Sequence, residues 1–240
     1  MNAVLQVSDR TITAEELIPL LAKYQLLPQL FREILVDEAI TTIDCTPEEK
    51  ILACQQFYER NQVMTETDRL AWLERQNMTS EQVEELVSRG IKLEKFKQVT
   101  WGNKLESYFL KRKGQLDRAI YSLLRTKDGA MAQELYFRIQ EGEQPFADLA
   151  REYSQGQEVQ TGGLIGPVEL TVPHPILAKM LTVSQPGQLW PPTRLGEWFI
   201  IVRLEKFFPA QLDDQMRQRL INELFNSWVQ EQIQQQISVR

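Results

Sequence analysis

Histidine and cysteine, the side chains most used for nucleophilic, acid–base and metal chemistry near neutral pH, are scarce in this 240-residue chain. There is one histidine, His174, and there are two cysteines, Cys45 and Cys54. These three groups cannot make a four-ligand zinc site without carboxylates. A catalytic triad would have to be built on His174. That residue stands in Val172-Pro173-His174-Pro175 with no nucleophile motif beside it, so a surface imidazole on a loop is the simpler reading. Cys45 and Cys54, nine apart around a helix start, read as buried thiols rather than a redox pair, and two cysteines exclude a disulfide-rich scaffold. With 33 acidic against 27 basic residues the formal charge is −6. That balance argues against a broad nucleic-acid surface, which needs clustered Lys and Arg. No cofactor and no metal are expected.

The elements that would hold any site follow from periodicity and breakers. Hydrophobic residues make up 42% and charged residues 25%, an ordinary globular composition. No run approaches the ~20 apolar residues of a membrane span. Residues 1–10 have neither a basic start followed by an apolar core nor a small-residue cleavage site, so a cytoplasmic location without membrane insertion is the expectation. Thr13-Ala14-Glu15-Glu16, Thr46-Pro47-Glu48-Glu49 and Thr79-Ser80-Glu81-Gln82 are helix-start signals. Apolar stripes follow them, such as Leu17, Leu20, Leu21 and Tyr24. A shorter helix is expected after Thr67-Asp68. Gly90 is expected to interrupt the helix begun at Thr79, and Gly114 to cap one ending in Lys111-Arg112-Lys113. Residues 1–115 therefore read as all-helical.

The texture then changes. Residues 119–125 form a strand candidate, 130–140 and 146–154 helices, and 199–204 a strong final strand, with a turn-rich stretch from Gly156 to Gly196. After Pro209 a helix over roughly 211–237 carries a wide apolar face through Leu220, Ile221, Leu224, Phe225, Trp228 and Val229. That face must pack on something, and the N-terminal helices are the expected partner.

The segment Gly142-Glu143-Gln144-Pro145-Phe146-Ala147-Asp148-Leu149-Ala150-Arg151-Glu152-Tyr153-Ser154 resembles the helix of parvulin-type (PpiC-like) peptidyl-prolyl isomerases. Gly162-Gly163-Leu164-Ile165-Gly166 resembles that family's Gly-Gly-Asp-Leu-Gly turn, with Leu164 where the acid usually stands. Pro186-Gly187-Gln188-Leu189, then Pro191 or Pro192, then Gly196 follow in the family's order, so the resemblance covers about residues 118–205. The flanking helices resemble, more loosely, SurA- and PrsA-like chaperones. The resemblance implies a groove over the sheet in which an extended X–Pro segment turns about its peptide bond. The uncatalysed barrier is ~18–20 kcal/mol, and lowering it needs no covalent step. The family's first-strand histidine falls at Tyr121, or at Ser122 if the register shifts by one. Its last-strand histidine falls at Trp198, its Asp or Cys near Gly156, and its proline-pocket aromatic at Leu177. Tyr121, Ser122 and Trp198 are thus the catalytic candidates, and Ile165, Leu177, Met180 and Trp198 the substrate-binding ones.

The expected architecture is α+β. Residues 1–115 form an all-helical chaperone-like module, 116–208 a small parvulin-like antiparallel sheet domain with helices, and 209–240 a helix completing the first module. The expected function is peptidyl-prolyl isomerase and chaperone for unfolded or extended Pro-containing polypeptide, with no nucleic-acid partner. The alternative is a non-catalytic adaptor serving peptide maturation or export machinery.

Overall fold

The computed structural model describes residues 3–7 and 10–236, with only the backbone described at 3–7, 10 and 236. The chain divides into two compact units, Met1–Leu105 with Arg217–Arg240, and Glu106–Met216.

The first unit opens with strands, not with a helix. β1 (Ala3–Val7) pairs antiparallel with β2 (Arg10–Thr13), which corrects the all-helical expectation. Val4, Val7, Thr11, Ile12 and Thr13 are β-branched, and each segment is too short to nucleate a helix. Helices α1 (Ala14–Lys23), α2 (Leu27–Ile40), α3 (Pro47–Arg60), α4 (Glu66–Gln76) and α5 (Ser80–Trp101) follow. Four of them start with one device. A threonine N-cap (Thr13, Thr46, Thr65 or Thr79) is bound back by an acid or amide three residues on (Glu16, Glu49, Asp68 or Gln82). Each such cap contributes about 1 kcal/mol. Thr65 thus starts α4 slightly ahead of the expected Thr67-Asp68.

Gly90 does not interrupt α5, which runs through it for 22 residues. A helical glycine costs only ~1 kcal/mol relative to alanine, and the helix is anchored on both sides by buried Val83 and Trp101. The break comes instead at a 3-10 turn, Gly102–Lys104, before α6 (Leu105–Leu116). Gly114 lies inside α6 and is not its cap, and the units divide at Leu105–Glu106, not at 115–116. Helix α10 (Asp214–Gln236) buries Leu220, Ile221, Phe225 and Val229. Its Trp228 ring meets Phe96 and Trp101 of α5 at 5.3 and 6.1 Å, and Lys97 Nζ donates to Asn222 Oδ1 at 2.9 Å.

The second unit is an antiparallel sheet of four strands, β3 (Arg118–Thr126), β4 (Leu164–Glu169), β5 (Leu189–Leu195) and β6 (Trp198–Phe208), in the order β4-β3-β6-β5. Helices α7 (Gly129–Gln140) and α8 (Phe146–Tyr153) cover one face, packing Leu135, Phe146 and Leu149 on Leu124 and Ile201. Helix α9 (Pro175–Val183) covers the other, packing Leu177, Met180 and Leu181 on Tyr121, Leu123, Ile200 and Val202. β4, α9 and β5 lie within the stretch that reads as turn-rich from sequence. β5 holds Pro191 and Pro192, which an edge strand tolerates because one side needs no N–H donors, and its register shifts between Trp190 and Thr193.

Candidate functional site

Strand alternation decides which candidates share a surface. Tyr121 stands opposite Leu204 on β6 and Ile165 on β4, and Trp198 opposite Leu195 on β5. All of these lie in the cluster under α9, so Tyr121, Ile165, Leu177, Met180 and Trp198 come together on one sheet face. Tyr121 and Leu177 are 4% exposed and Met180 7%, so they are core residues between the sheet and α9 and offer a peptide no surface, contrary to the expectation that they would line a groove. Ile165 and Trp198 are half-buried at its margin. Ser122 pairs with Arg203 and points to the opposite face, where its Oγ donates to Glu205 Oε1 at 2.6 Å. A single-residue step along a strand reverses the face, so Ser122 does not join Tyr121.

A polar group that the sequence reading missed borders the same face. After α8 the chain turns through Gly156 into a 3-10 turn, Gln157–Thr161. There the Glu158 side chain is only 3% exposed and its Oε1 lies 3.1 Å from Arg125 Nε. The Nε–H is not aimed at that oxygen and has no hydrogen-bond partner, so the pair is a charge contact, not an aligned hydrogen bond. Ser154 Oγ donates to Glu158 Oε1 at 2.5 Å and accepts from the Arg125 N–H at 3.1 Å. A Cβ at Gly156 would collide with Arg125 Nε and Nη2. The guanidinium therefore occupies the space of the side chain that Gly156 lacks. Its other flank lies over Trp198, 5.4 Å from the ring centroid, with Lys127 Nζ at 4.9 Å from the same ring. Burial first, and the Glu158 charge second, push the Tyr121 phenol above its usual range. The signal available in the sequence was an isolated acid between Gly156 and Gly162-Gly163, a loop too short to carry it far into solvent.

Backbone geometry ties this loop to the sheet. Gly163 has φ +85°, and a Cβ there would stand 2.7 Å from the Leu123 carbonyl oxygen. Leu123 N–H donates to Gly163 O at 2.9 Å. Only glycine fits so close an approach of two backbones at positive φ.

Comparison with known proteins now bears on this unit. Residues 124–206 match the Rotamase family, described as the PPIC-type PPIASE domain. The segment is a PPIC-type domain. Solved structures similar to the chain include the peptidylprolyl isomerase PrsA from Bacillus cereus, with 16% identity, 99% of this chain and 93% of that one covered, and TM-score 0.45. PrsA from Bacillus anthracis is 14% identical, with 88% and 99% covered and TM-score 0.46. The parvulin domain of PpiD from E. coli is 29% identical, with 42% and 97% covered and TM-score 0.36. No curated protein sequence matches the chain.

Within the PPIC-type domain, His174 is the N-cap of α9, and its Nδ1 accepts from the Ile176 N–H at 3.3 Å. Its imidazole is committed to helix capping. The cysteines lie in the helical unit, free and half-buried. Cys45 Sγ donates to Ser88 O at 3.6 Å, and burial pushes the Cys54 thiol up, away from the reactive thiolate. Among the described residues no group of three or more His, Cys, Asp or Glu is placed to hold a metal ion, and no helix is long and apolar enough to cross a membrane.

The helical unit carries a cleft of its own, about 980 Å³, between the α2–α3 connection, α3 and α5. Ala53, Phe57, Leu86, Val87, Ile91 and Val99 supply apolar lining, and Gly90 opens on it with no atom within 4 Å of where a Cβ would stand.

Proposed function

We propose that the margin of the α9-covered sheet face, where Trp198 and Ile165 are half-buried, binds extended Pro-containing polypeptide and interconverts the cis and trans forms of its X–Pro bond. In this reading the cleft between α3 and α5 takes apolar stretches of unfolded chain. The supporting observation is the match of residues 124–206 to the PPIC-type PPIase domain, on a four-stranded sheet whose glycine turn follows the family's spacing. No proton need be transferred: a surface that fits the twisted amide better than either planar form lowers the barrier.

The absence of the family histidines, whose positions fall at Tyr121 or Ser122 and at Trp198, with His174 committed to capping α9, favours a second reading. In it the domain holds the peptide without turnover and passes it to maturation or export machinery. NMR exchange spectroscopy on tetrapeptides varied before proline separates the two. The isomerase reading expects cis–trans exchange above the uncatalysed rate for at least one peptide of the series. Uncatalysed rates throughout, with the peptides still bound, would establish the adaptor.

A further inference from the structure

Arg125 has three properties that seldom coincide. Its side chain is 32% exposed, so substrate reaches it, while its Nε is buried and without a hydrogen-bond partner. Among the described residues its Nη groups meet no acceptor closely enough for a hydrogen bond, the only charge partner being Glu158 at Nε. Its position is fixed on three sides: by the buried Glu158 carboxylate, by the Gly156 backbone it lies across, and by the Trp198 ring it covers at 5.4 Å. An arginine held in this way is a planar donor set aimed from a rigid mount.

The proposed reaction has one moment at which such a donor discriminates. In planar cis or trans X–Pro the nitrogen lone pair is delocalised into the carbonyl and is a poor acceptor. In the twisted state that conjugation is lost and the nitrogen becomes a true acceptor. No bond is broken, and no proton or electron changes owner. A hydrogen bond made only in the twisted state raises kcat without tightening the ground-state complex.

We propose that Arg125 is the catalytic donor of this domain, giving an Nη–H to the prolyl nitrogen of the twisted amide, and that Glu158 is its positioning residue. The inference rests on the isomerase reading given above and deepens it. It also gives Gly156 a role: the absent side chain makes room for a cation that reaches the site from β3. Ser154 belongs to the same unit, since its Oγ joins the Glu158 carboxylate to the Arg125 backbone N–H.

The test is NMR exchange on Ala-Ala-Pro-Phe with the full chain. Arg125→Met alone leaves a buried carboxylate unpaired and risks unfolding. The double variant Arg125→Met/Glu158→Gln, which removes both charges, is therefore measured beside it. Both are expected to lose ~10-fold or more in kcat, on the scale of losing one preorganised donor, with KM nearly unchanged. Glu158→Gln is expected to lose less. In Arg125→Ala/Glu158→Gln, where no buried carboxylate is left to be re-paired, added methylguanidinium is expected to restore part of kcat while the melting temperature stays unchanged, a split that a purely structural role would not produce. A folded double variant as fast as the parent overturns the donor role and leaves the isomerase reading intact. A parent no faster than the uncatalysed reaction on every peptide of the series varied before proline overturns both.

Discussion

Tyr121 and Trp198 lie on one face of the sheet for the same reason that Ser122 does not: β alternation puts residues 121 and 123 under α9 and residue 122 against Glu205. Burial of the Tyr121 phenol carries a pH consequence. Its folded pKa is raised above the ordinary value near 10, mainly by burial. Between the unfolded and folded pKa values the folded state retains a proton that the unfolded state has released. The contribution is therefore present below pH ~10 and is lost as pH rises through the folded value. Thermal melting followed from pH ~8 to ~11 is expected to fall more steeply for the parent than for Tyr121→Phe. Parallel curves would show that the phenol titrates alike in both states. At this scale the sequence offered Tyr121 and Trp198 as candidates but not Arg125 and Glu158, because a charge pair between a strand and a loop 33 positions away has no local signature.

Among the elements, helix starts were legible wherever a threonine preceded an acid or amide by three residues, since capping is a local event. Two misreadings were of glycines, Gly90 and Gly114, which lie inside helices. Gly90 and Gly163 are the same residue type in opposite circumstances. Gly90 is helical with open space around its missing Cβ, whereas Gly163 has φ +85° and the Leu123 carbonyl in the way. Gly90→Ala is expected to stabilise the chain by roughly 0.5–1 kcal/mol. Gly163→Ala is expected to destabilise it by roughly 1–3 kcal/mol. Urea denaturation reads both, and equal effects of the same sign would refute the distinction. Gly90→Phe is the functional counterpart. It places a ring in the cleft between α3 and α5, and it should weaken binding of an unfolded apolar polypeptide while leaving isomerisation of a tetrapeptide unchanged. β4, β5 and α9 escaped the sequence reading because edge strands with Pro167, Pro191 and Pro192, and a helix opened by His174-Pro175, carry breaker residues where periodicity is sought.

At the level of the whole molecule, the chain leaves the helical unit after Leu105 and returns to it at Arg217. The return was legible in the wide apolar face of α10. The N-terminal hairpin was not, because two strands of five and four residues offer too short a window for period-two alternation. Leu220 is fully buried in this unit. Leu220→Ala should cost roughly 2–5 kcal/mol, with hydrogen-exchange protection lost over residues 14–105 and 217–235 while the sheet of the PPIC-type domain keeps its own. Simultaneous loss in both would mean that the two units unfold as one.

The placement of the peptide site beside Trp198 and Arg125 is open to direct mapping. Titrating the isotope-labelled chain with Ala-Ala-Pro-Phe should shift the Trp198 indole N–H, the Arg125 Nε–H and the Gly156 amide together, following one binding curve. Shifts confined to the opposite face, around Ser122, Arg203 and Glu205, would contradict that placement.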